Sequence, residues 1–353
     1  MARIFITGAS GFIGQHVVSQ FVREGHELTC LVRRKKRDPA LSNVSTIVGD
    51  LTQPESYADA IQHQDFVLNL AARTRAWRLN DLLKVNQDGL LNLAKECARQ
   101  TNPPTLIQIS SLAANGPSNP NFPLIEQDVP QPVSNYGRSK LAGEKALREL
   151  SNQLPISVIR PGIVYGEGDR KCLRVFNSIS RWGLHLVPTV NDHVFSAIHV
   201  RDLVDSIQLV MQSGERMSKT DDWGVQGDGL YFASGPEALT YADLGREIGN
   251  AIGRSDINVV YLPKAATWTI GCVSEAFAAM RGQSPVISLD KINEGAAGDW
   301  HCSSQKLCSL GFQPMRLQTR LQQTAQWYME QGWLRNPIFA PSAEAQSTET
   351  QST

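Results

Sequence analysis

A glycine-rich turn near the start of the chain constrains the fold more than any other sequence feature. The apolar run 3–7 predicts a buried strand, and residues 12–24 place apolar side chains on one face of a helix. Between them, Gly8, Gly11 and Gly14 follow the spacing Gly-x-x-Gly-x-x-Gly. In such a turn the first glycine permits the bend, the second lets a ligand approach the backbone, and the third lets the helix pack against the strand.

A strand–turn–helix unit of this kind is suited to phosphate, because free N–H groups and the positive end of the helix dipole face the turn. A tight turn without a ligand is the alternative interpretation. The strand and the amphipathic helix on either side favour a dinucleotide whose pyrophosphate lies on the turn. The predicted cofactor-binding residues of this segment are Gly8, Ser10, Gly11, Phe12, Ile13 and Gly14.

Short apolar runs alternate with helical patterns over the first part of the chain. Strands are predicted over residues 3–7, 27–32, 45–48, 66–70, 106–110 and 157–160, and helices over 12–24, 82–100 and 136–150. Several of the apolar runs are continuous, as expected of strands that are covered on both faces. The pattern predicts an α/β fold with a doubly wound, Rossmann-type parallel sheet.

The later part of the chain has shorter elements separated by loops with Pro and Gly. We expect residues 1–165 to form mainly the dinucleotide-binding domain and 166–335 mainly a smaller, irregular substrate-binding lobe. The chain is expected to re-enter the first domain around 190–212, and helices are expected over 241–253 and 319–332. The tail 336–353 has the composition of a disordered segment.

Composition excludes several classes of function. The 34 basic and 34 acidic residues leave no net charge that would hold nucleic acid. The six cysteines form no Cys-x-x-Cys pair, so we expect no metal site and reduced thiols in a cytoplasmic protein. No secretory signal and no membrane span are predicted; the weakly charged stretch 265–280 is expected to be a buried or lid helix.

The residues after the second predicted strand indicate which dinucleotide binds. NAD-binding folds usually place an acidic side chain there, whereas an arginine suits the 2′-phosphate of NADP. The segment from Arg33 to Arg37 holds five consecutive cations and no acid. Arginine can pair with a phosphate through two hydrogen bonds, so NADP(H) is favoured over NAD(H). A solvated basic loop is the alternative.

A phenol and an ammonium group four residues apart suggest acid–base chemistry. Tyr136 and Lys140 would share one face of a helix, and a nearby cation lowers the pKa of a phenol. Ser110 and Ser111 close a predicted strand at the edge of the sheet where ligands bind. A hydroxyl there could hold a substrate oxygen against the tyrosine. An exposed helical pair without catalytic function is the alternative.

Together these motifs resemble the extended short-chain dehydrogenase/reductase family over nearly the whole chain to about residue 335. The matching segments are Thr7–Gly14 with its three glycines, Asp50-Leu51, Asn69-Leu70-Ala71-Ala72, Ser110-Ser111, Tyr136-x-x-x-Lys140, Arg160-Pro161-Gly162-x-x-Tyr165-Gly166 and His199-Val200-Arg201-Asp202-Leu203. Within the family, Val32-Arg33 and the segment 139–144 resemble the dihydroflavonol-reductase and 3-beta-hydroxysteroid-dehydrogenase branches. One departure is Glu167, where the family often has proline.

The resemblance implies roles for individual residues. Tyr136 would be the acid–base residue, Lys140 would lower its pKa and bind the nicotinamide ribose, and Ser111 would be the catalytic serine. Arg33 would meet the 2′-phosphate. Asp50 and Leu51 would flank the adenine, Ala71 and Ala72 would lie along the cofactor, and Asn86 would sit on the helix after the fourth strand.

Three functions remain open at this stage. The first is an NADP(H)-dependent oxidoreductase that reduces a ketone or aldehyde, or runs the reverse reaction, through a Ser-Tyr-Lys site. The alternatives are a nucleotide-sugar epimerase with tightly bound NAD and a non-catalytic dinucleotide sensor. Dehydration is disfavoured, because Ser111 is followed by Leu112-Ala113-Ala114 rather than by carboxylates.

The partners are expected to be few. We expect a homodimer that acts on a small-molecule carbonyl or alcohol. An apolar set in the stretch 265–280 could line a substrate pocket, but helical spacing favours core or dimer contacts. This set consists of Trp268, Ile270, Val273, Phe277 and Met280.

Overall fold

The structure is a computed structural model that describes residues 1–34, 39–119, 121–188, 193–218, 227–281, 285 and 288–334. Lys35, Lys36 and Arg37 of the basic run and the tail 336–353 lie outside the described residues. Because seven parallel strands form the central sheet, the predicted α/β fold is confirmed.

The strands and helices alternate through most of the chain. The strands are β1 (Arg3–Thr7), β2 (Glu27–Val32), β3 (Ser45–Val48), β4 (Phe66–Asn69), β5 (Thr105–Ile109), β6 (Ile156–Pro161), β7 (Ile163–Tyr165), β8 (Leu184–Val187), β9 (Val194–His199), β10 (Leu230–Ala233), β11 (Ala238–Thr240) and β12 (Asn258–Tyr261). The helices are α1 (Phe12–Arg23), α2 (Ala58–Ile61), α3 (Leu79–Leu83), α4 (Leu90–Ala98), α5 (Asn135–Arg148), α6 (Arg170–Trp182), α7 (Val200–Ser213), α8 (Tyr241–Ala251), α9 (Lys264–Met280), α10 (Leu289–Ala296), α11 (Gln305–Ser309) and α12 (Leu317–Glu330).

The order of strands in the central sheet is β10-β6-β5-β4-β1-β2-β3. The chain therefore winds outward from β1 in both directions, and the switch point lies between β1 and β4. In open α/β sheets, ligands bind at the carboxyl ends of the strands beside this switch point. The register pairs Thr7 with Asn69 and with Leu31, so the glycine turn leaves the sheet at that edge.

Apolar side chains cover both faces of the sheet. On one face, Val17 and Phe21 of α1 and Ile207 of α7 belong to a core that includes strand residues such as Ile6. On the other, Leu93 of α4 belongs to a second core with residues of the same strands. Because apolar side chains cover both faces of the sheet, several of its strands are continuous apolar runs in the sequence.

The later part of the chain builds a third core from α6, α8 and α12. It includes Phe176, Ile248 and Tyr328, and it is bordered by the three-stranded sheet β11-β9-β7 and the pair β12-β8. Two elements from this part return to the central sheet: β10 adds its edge strand, and α7 packs beside α1. Strand β10 was not predicted from the sequence.

Two predictions about helices need correction. The single helix predicted over 82–100 is three segments, because a π-helical stretch, Lys84–Gly89, separates α3 from α4. The stretch 265–280 is a helix, but the expectation that it is buried is wrong. Only Thr267, Gly271 and Ala278 of α9 are buried, and its large apolar side chains face outward. No helix of the described residues is long and apolar enough to cross a membrane.

Candidate active site

The turn after β1 requires glycine for steric reasons. Gly8 has a positive φ of 74°, and its Cβ would lie 2.7 Å from the backbone of Leu70 and Ala71. A Cβ at Gly14 would lie 2.3 Å from the carbonyl oxygen of Gly8, so α1 could not pack this close to β1 with any other residue. The Gly11 N–H donates to the Gly8 carbonyl at 2.9 Å and closes the turn.

The N-terminus of α1 is open toward this turn. Gly11 is the N-cap, and no side chain of the described residues accepts a hydrogen bond from the first turn there. The first turn also has no acidic residue. Ser10 and Gly11 are exposed, while Phe12 and Ile13 are partly buried. The free N–H groups and the helix dipole make this turn a fitting site for a pyrophosphate.

The ends of β2 and β3 lie side by side next to the turn. Val32 pairs with Val48, so exposed Arg33 and partly buried Asp50 follow neighbouring strands. Hydrogen bonds from Thr52 hold the pKa of Asp50 below its ordinary value, and the charge of Arg33 lowers it further. The structure thus brings Arg33 and Asp50 together at one end of the predicted cofactor site. Leu51 is buried and belongs to the second core.

The loop after β4 lies against the turn on its other side. The Ala71 N–H donates to the Thr7 hydroxyl at 3.2 Å, and the next residue, Ala72, is exposed. Buried Asn86 of the π-helical stretch makes two hydrogen bonds with the backbone of Arg73 and a third with the Ser139 hydroxyl. Asn86 therefore ties this loop to α5, a positioning role that the sequence alone did not define.

Ser111 and Tyr136 meet because α5 packs closely on the turn that follows β5. Ser111 caps the 3-10 turn Leu112–Ala114, where its hydroxyl accepts a hydrogen bond from the Ala113 N–H at 3.2 Å. A Cβ at Gly137 would lie 2.1 Å from the carbonyl oxygen of Ala113, so glycine beside Tyr136 permits this packing. The Ser111 hydroxyl lies close enough to the Tyr136 phenol to lower the pKa of Tyr136.

Lys140 lies one turn along α5 and is buried. Its ammonium group donates to the carbonyl oxygen of Ile109, at the end of β5, at 2.8 Å. Burial lowers the pKa of Lys140 to about 8, and the charge of Glu144 opposes this shift. Lys140 is thus charged at neutral pH but close to titration.

The pKa of Tyr136 differs from the sequence-based expectation. Burial raises it to about 12, the hydrogen bond from Ser111 opposes that rise, and the charge of Glu294 adds to it. Lys140 is not among the groups that shift this pKa, so the lowering by Lys140 that the resemblance implies stays a prediction. The phenol is protonated at neutral pH and is suited to donate a proton to a reacting oxygen.

A buried ion pair holds helix α5 in place. Glu144 and Arg160 are almost fully buried, and the Arg160 Nε lies 3.1 Å from a Glu144 oxygen. The Ser110 hydroxyl donates to the same carboxylate, and Arg160 also donates to the Asn115 side chain at 2.7 Å. This network fastens α5 to β5 and β6 next to Ser111. From the sequence, Arg160 was matched to a family motif, but its pairing with Glu144 was not predicted.

Helix α10 contributes two acidic residues that the sequence analysis missed. The Asp290 carboxylate accepts a hydrogen bond from the Asn135 N–H at 3.0 Å, which caps the start of α5. Glu294 is buried near Tyr136 and forms an ion pair with Lys291. Both lie more than 150 residues after the residues they act on, and no local pattern marks them.

The fold and this arrangement of residues define a nucleotide-dependent enzyme, and comparison with known proteins identifies its family. Residues 4–225 match the NAD dependent epimerase/dehydratase family, so the chain belongs to that family. Its relatives include reductases and dehydrogenases of the extended short-chain dehydrogenase/reductase branch, which makes the chain an NAD(P)-dependent enzyme of that class.

Three relatives match almost from end to end. A ceramide reductase of Caulobacter vibrioides is 28% identical over 96% of this chain and 98% of its own length. A protein named as a dihydroflavonol 4-reductase of Synechocystis is 23% identical over 94% and 96%. A decarboxylating sterol-4-alpha-carboxylate 3-dehydrogenase of Candida albicans is 24% identical over 93% and 97%.

Solved structures support the fold. The structure of Thermus thermophilus UDP-glucose 4-epimerase in complex with NAD superposes with a TM-score of 0.71. The match covers 93% of this chain and 99% of the other, at 21% identity. At this level of identity the likeness establishes the Rossmann-type fold and not the reaction.

Proposed function

We propose that this protein is an NADP(H)-dependent oxidoreductase that reduces the carbonyl group of an apolar ketone or aldehyde, or catalyses the reverse oxidation. The observation that carries this proposal is the pair of Ser111 and Tyr136, which lie close together because Gly137 packs on the turn that Ser111 caps. The pair follows β5, which is separated from β1 and its glycine turn by a single strand. Acid–base chemistry and dinucleotide binding thus share one edge of the sheet.

The preference for NADP(H) rests on the side chains beyond β2 and β3. Arg33 offers a planar guanidinium group suited to a 2′-phosphate, whereas a carboxylate at that position would repel it. Asp50 lies nearby, but hydrogen bonds from Thr52 engage its carboxylate. Arg33 is therefore an exposed cation available to a ribose phosphate, and this supports NADP(H) over NAD(H).

The proposed reaction divides the work between cofactor and protein. When bound, NADPH supplies the hydride. Ser111 would hold the substrate oxygen, and Tyr136 would donate its proton to that oxygen. Lys140, charged at neutral pH, would bind the nicotinamide ribose and favour the phenolate that remains.

The class of substrate is suggested by the relatives. Ceramide and the sterols are lipids, and the relatives named for them align with this chain over almost its whole length. A ketone on a long-chain or polycyclic lipid is therefore the substrate class that we propose. Nucleotide-sugar epimerisation is the second candidate, because the family that the chain belongs to is the NAD dependent epimerase/dehydratase family. Non-catalytic sensing is disfavoured, since a sensor would not need the Ser111–Tyr136 pair.

The proposal can be tested by following NADPH oxidation with a long-chain aliphatic ketone, a steroid ketone and UDP-glucose. Tyr136→Phe should reduce turnover by about 10²-fold or more, the usual scale of general acid catalysis, with NADPH affinity nearly unchanged. Tyr261→Phe, which alters a tyrosine of β12, is the control and should keep full activity. Undiminished turnover in Tyr136→Phe, or NADH used as well as NADPH, would overturn the assignment.

A further inference from the structure

Helix α9 presents an apolar surface to solvent. The 16 residues 265–280 contain a single charged residue, Glu275, whose carboxylate accepts a hydrogen bond from the Leu289 N–H at 2.8 Å. Glu275 is therefore turned toward α10. The outward side carries large apolar groups that are strongly exposed, among them Val273 at 62% and Met280 at 79%. A surface helix in water normally shows charged and polar residues on that side.

The helix is attached to the protein along a narrow strip. Gly271 faces Ile292 and Leu289 of α10, and the Thr267 hydroxyl donates to the carbonyl oxygen of Pro188 at 2.8 Å. These contacts leave most of the circumference of α9 uncovered. Since small buried residues hold α9 in place, the exposed bulk of Trp268, Ile270 and Phe277 is not needed for packing within the chain.

Apolar side chains are also exposed on the strand pair β12-β8, whose β12 leads into α9. Leu186 of β8 and Val260 of β12 are register partners in a parallel pair, so they lie on the same face, and both are exposed. Strand β12 leads through Pro263 directly into α9. We define the α9 surface as Leu186, Val260, Trp268, Ile270, Val273, Phe277 and Met280. An exposed patch of this kind marks an interaction site.

Exposed cations flank α9 at both of its ends. Lys264 is its first residue and is exposed, and Arg281 follows its last. The Arg281 guanidinium lies 4.0 Å from the centre of the Phe277 ring, at the edge of the apolar face. Lys291 of the adjoining α10 is also largely exposed. Cations at both ends of an apolar helix complement an anionic partner.

We propose that the α9 surface docks this protein onto an anionic lipid bilayer, with α9 lying in the plane of the interface. At 1.5 Å per residue, 17 residues span about 26 Å, less than the roughly 30 Å of a hydrocarbon core. The helix therefore lies on the membrane rather than across it. Since the whole chain has no net charge, the attraction comes from the exposed Lys264 and Arg281 at the two ends of α9.

The same charges argue against a second copy of the chain as the occupant. If two copies packed α9 against α9 in antiparallel orientation, Lys264 of each would face Arg281 of the other. In parallel orientation, Lys264 and Arg281 of one copy would each face the same residue of the other copy. Both arrangements oppose like charges, whereas an anionic membrane neutralises them.

Vesicle sedimentation tests the proposal with the full chain and without any turnover. The protein should bind vesicles of phosphatidylcholine with phosphatidylserine and bind poorly to phosphatidylcholine alone. Val273→Glu/Phe277→Glu should abolish binding, while Phe122→Glu, which changes an exposed apolar residue elsewhere, should not. Lys264→Gln and Arg281→Gln should each lower the partition coefficient about fivefold, the equivalent of about 1 kcal/mol per cation.

Two results would overturn the proposal. One is unchanged vesicle binding in Val273→Glu/Phe277→Glu. The other is no vesicle binding by the parent protein. If the parent protein is then a dimer in light scattering that this double variant converts to monomer, the α9 surface is a subunit interface. NADPH affinity, measured in the same variants, should stay constant, so that failure of membrane docking is distinguished from failure of the proposed reaction.

Discussion

Glu144→Gln should destabilise the protein strongly, although it changes a single carboxylate to an amide. In the folded chain the Glu144 carboxylate accepts hydrogen bonds from Arg160 and from Ser110. A glutamine would keep one acceptor oxygen but direct an NH2 group at the remaining donors. Arg160, with no exposed surface, would retain its charge without a compensating anion.

The expected loss follows from the burial of both partners. Removing one member of a fully buried ion pair costs about 3–5 kcal/mol of unfolding free energy. For a chain of this size, about 2 °C of melting temperature corresponds to each kcal/mol, which gives a fall of roughly 6–10 °C. Differential scanning calorimetry measures it directly. Glu149→Gln, on the exposed end of the same helix, is the matched control and should shift the melting temperature by less than about 1 °C.

The double variant Glu144→Leu/Arg160→Met separates the charge effect from simple loss of packing. Removing both charges abolishes the uncompensated cation, so the double variant should recover much of the stability that Glu144→Gln loses. A melting temperature for Glu144→Gln within about 2 °C of the parent protein would refute the reasoning. The reasoning would also be refuted if the double variant lost more unfolding free energy than Glu144→Leu and Arg160→Met lose in sum as single variants.

The same substitution should change the pH dependence of catalysis. Lys140 has a pKa of about 8, and Glu144 is the group that holds it up against burial. Lys140 is charged below this pKa, so kcat/KM for NADPH-dependent turnover should fall as pH rises above about 8. In Glu144→Gln the fall should begin at lower pH. An alkaline limb at the same pH in both proteins would contradict this role of Glu144.

Four further predictions concern the site. Gly14→Ala should abolish NADPH binding in fluorescence titration and lower stability, because its Cβ would lie 2.3 Å from the Gly8 carbonyl oxygen; retained affinity would contradict the packing. Ser111→Ala should raise the pKa of Tyr136, since the Ser111 hydrogen bond lowers it; a lowered pKa in a pH titration of the phenol absorbance would show the opposite. Glu294→Gln should lower the same pKa, so in the oxidative direction the pH–rate profile should reach its plateau at lower pH, and an unshifted profile would place Glu294 outside the field of Tyr136. Arg33→Asp should weaken NADPH far more than NADH in isothermal titration, and an equal loss for both would remove Arg33 from recognition of the 2′-phosphate.

Local sequence patterns were sufficient to predict the first six strands of the central sheet. Most of them are apolar runs bounded by turns, because both faces of the sheet are covered there; the edge strand β3 is largely exposed. The seventh, Leu230–Ala233, was missed because it joins the sheet from the later part of the chain. The helix predicted over 82–100 was right in type, but no periodicity distinguishes the π-helical stretch Lys84–Gly89 from α-helix.

Charged groups of the interior were the part that the sequence could not predict. As charged residues, Glu144 and Arg160 would be expected at the surface, and only the packing of α5 beside β6 shows that they form a buried pair. Glu294 reaches Tyr136 from the later part of the chain, and its effect on the phenol depends on burial rather than on spacing. In α9, helical spacing predicted core or dimer contacts; the side chains face solvent, so the core alternative is wrong and the dimer alternative stays a prediction.

Mass spectrometry of the nucleotide released from the purified, denatured protein tests the central claim most directly. A reductase that exchanges its cofactor at each turnover should release NADP, or arrive empty and then bind NADPH more tightly than NADH. The same protein with Arg33→Asp should lose that preference. Stoichiometric NAD retained through purification would contradict the account and favour an epimerase.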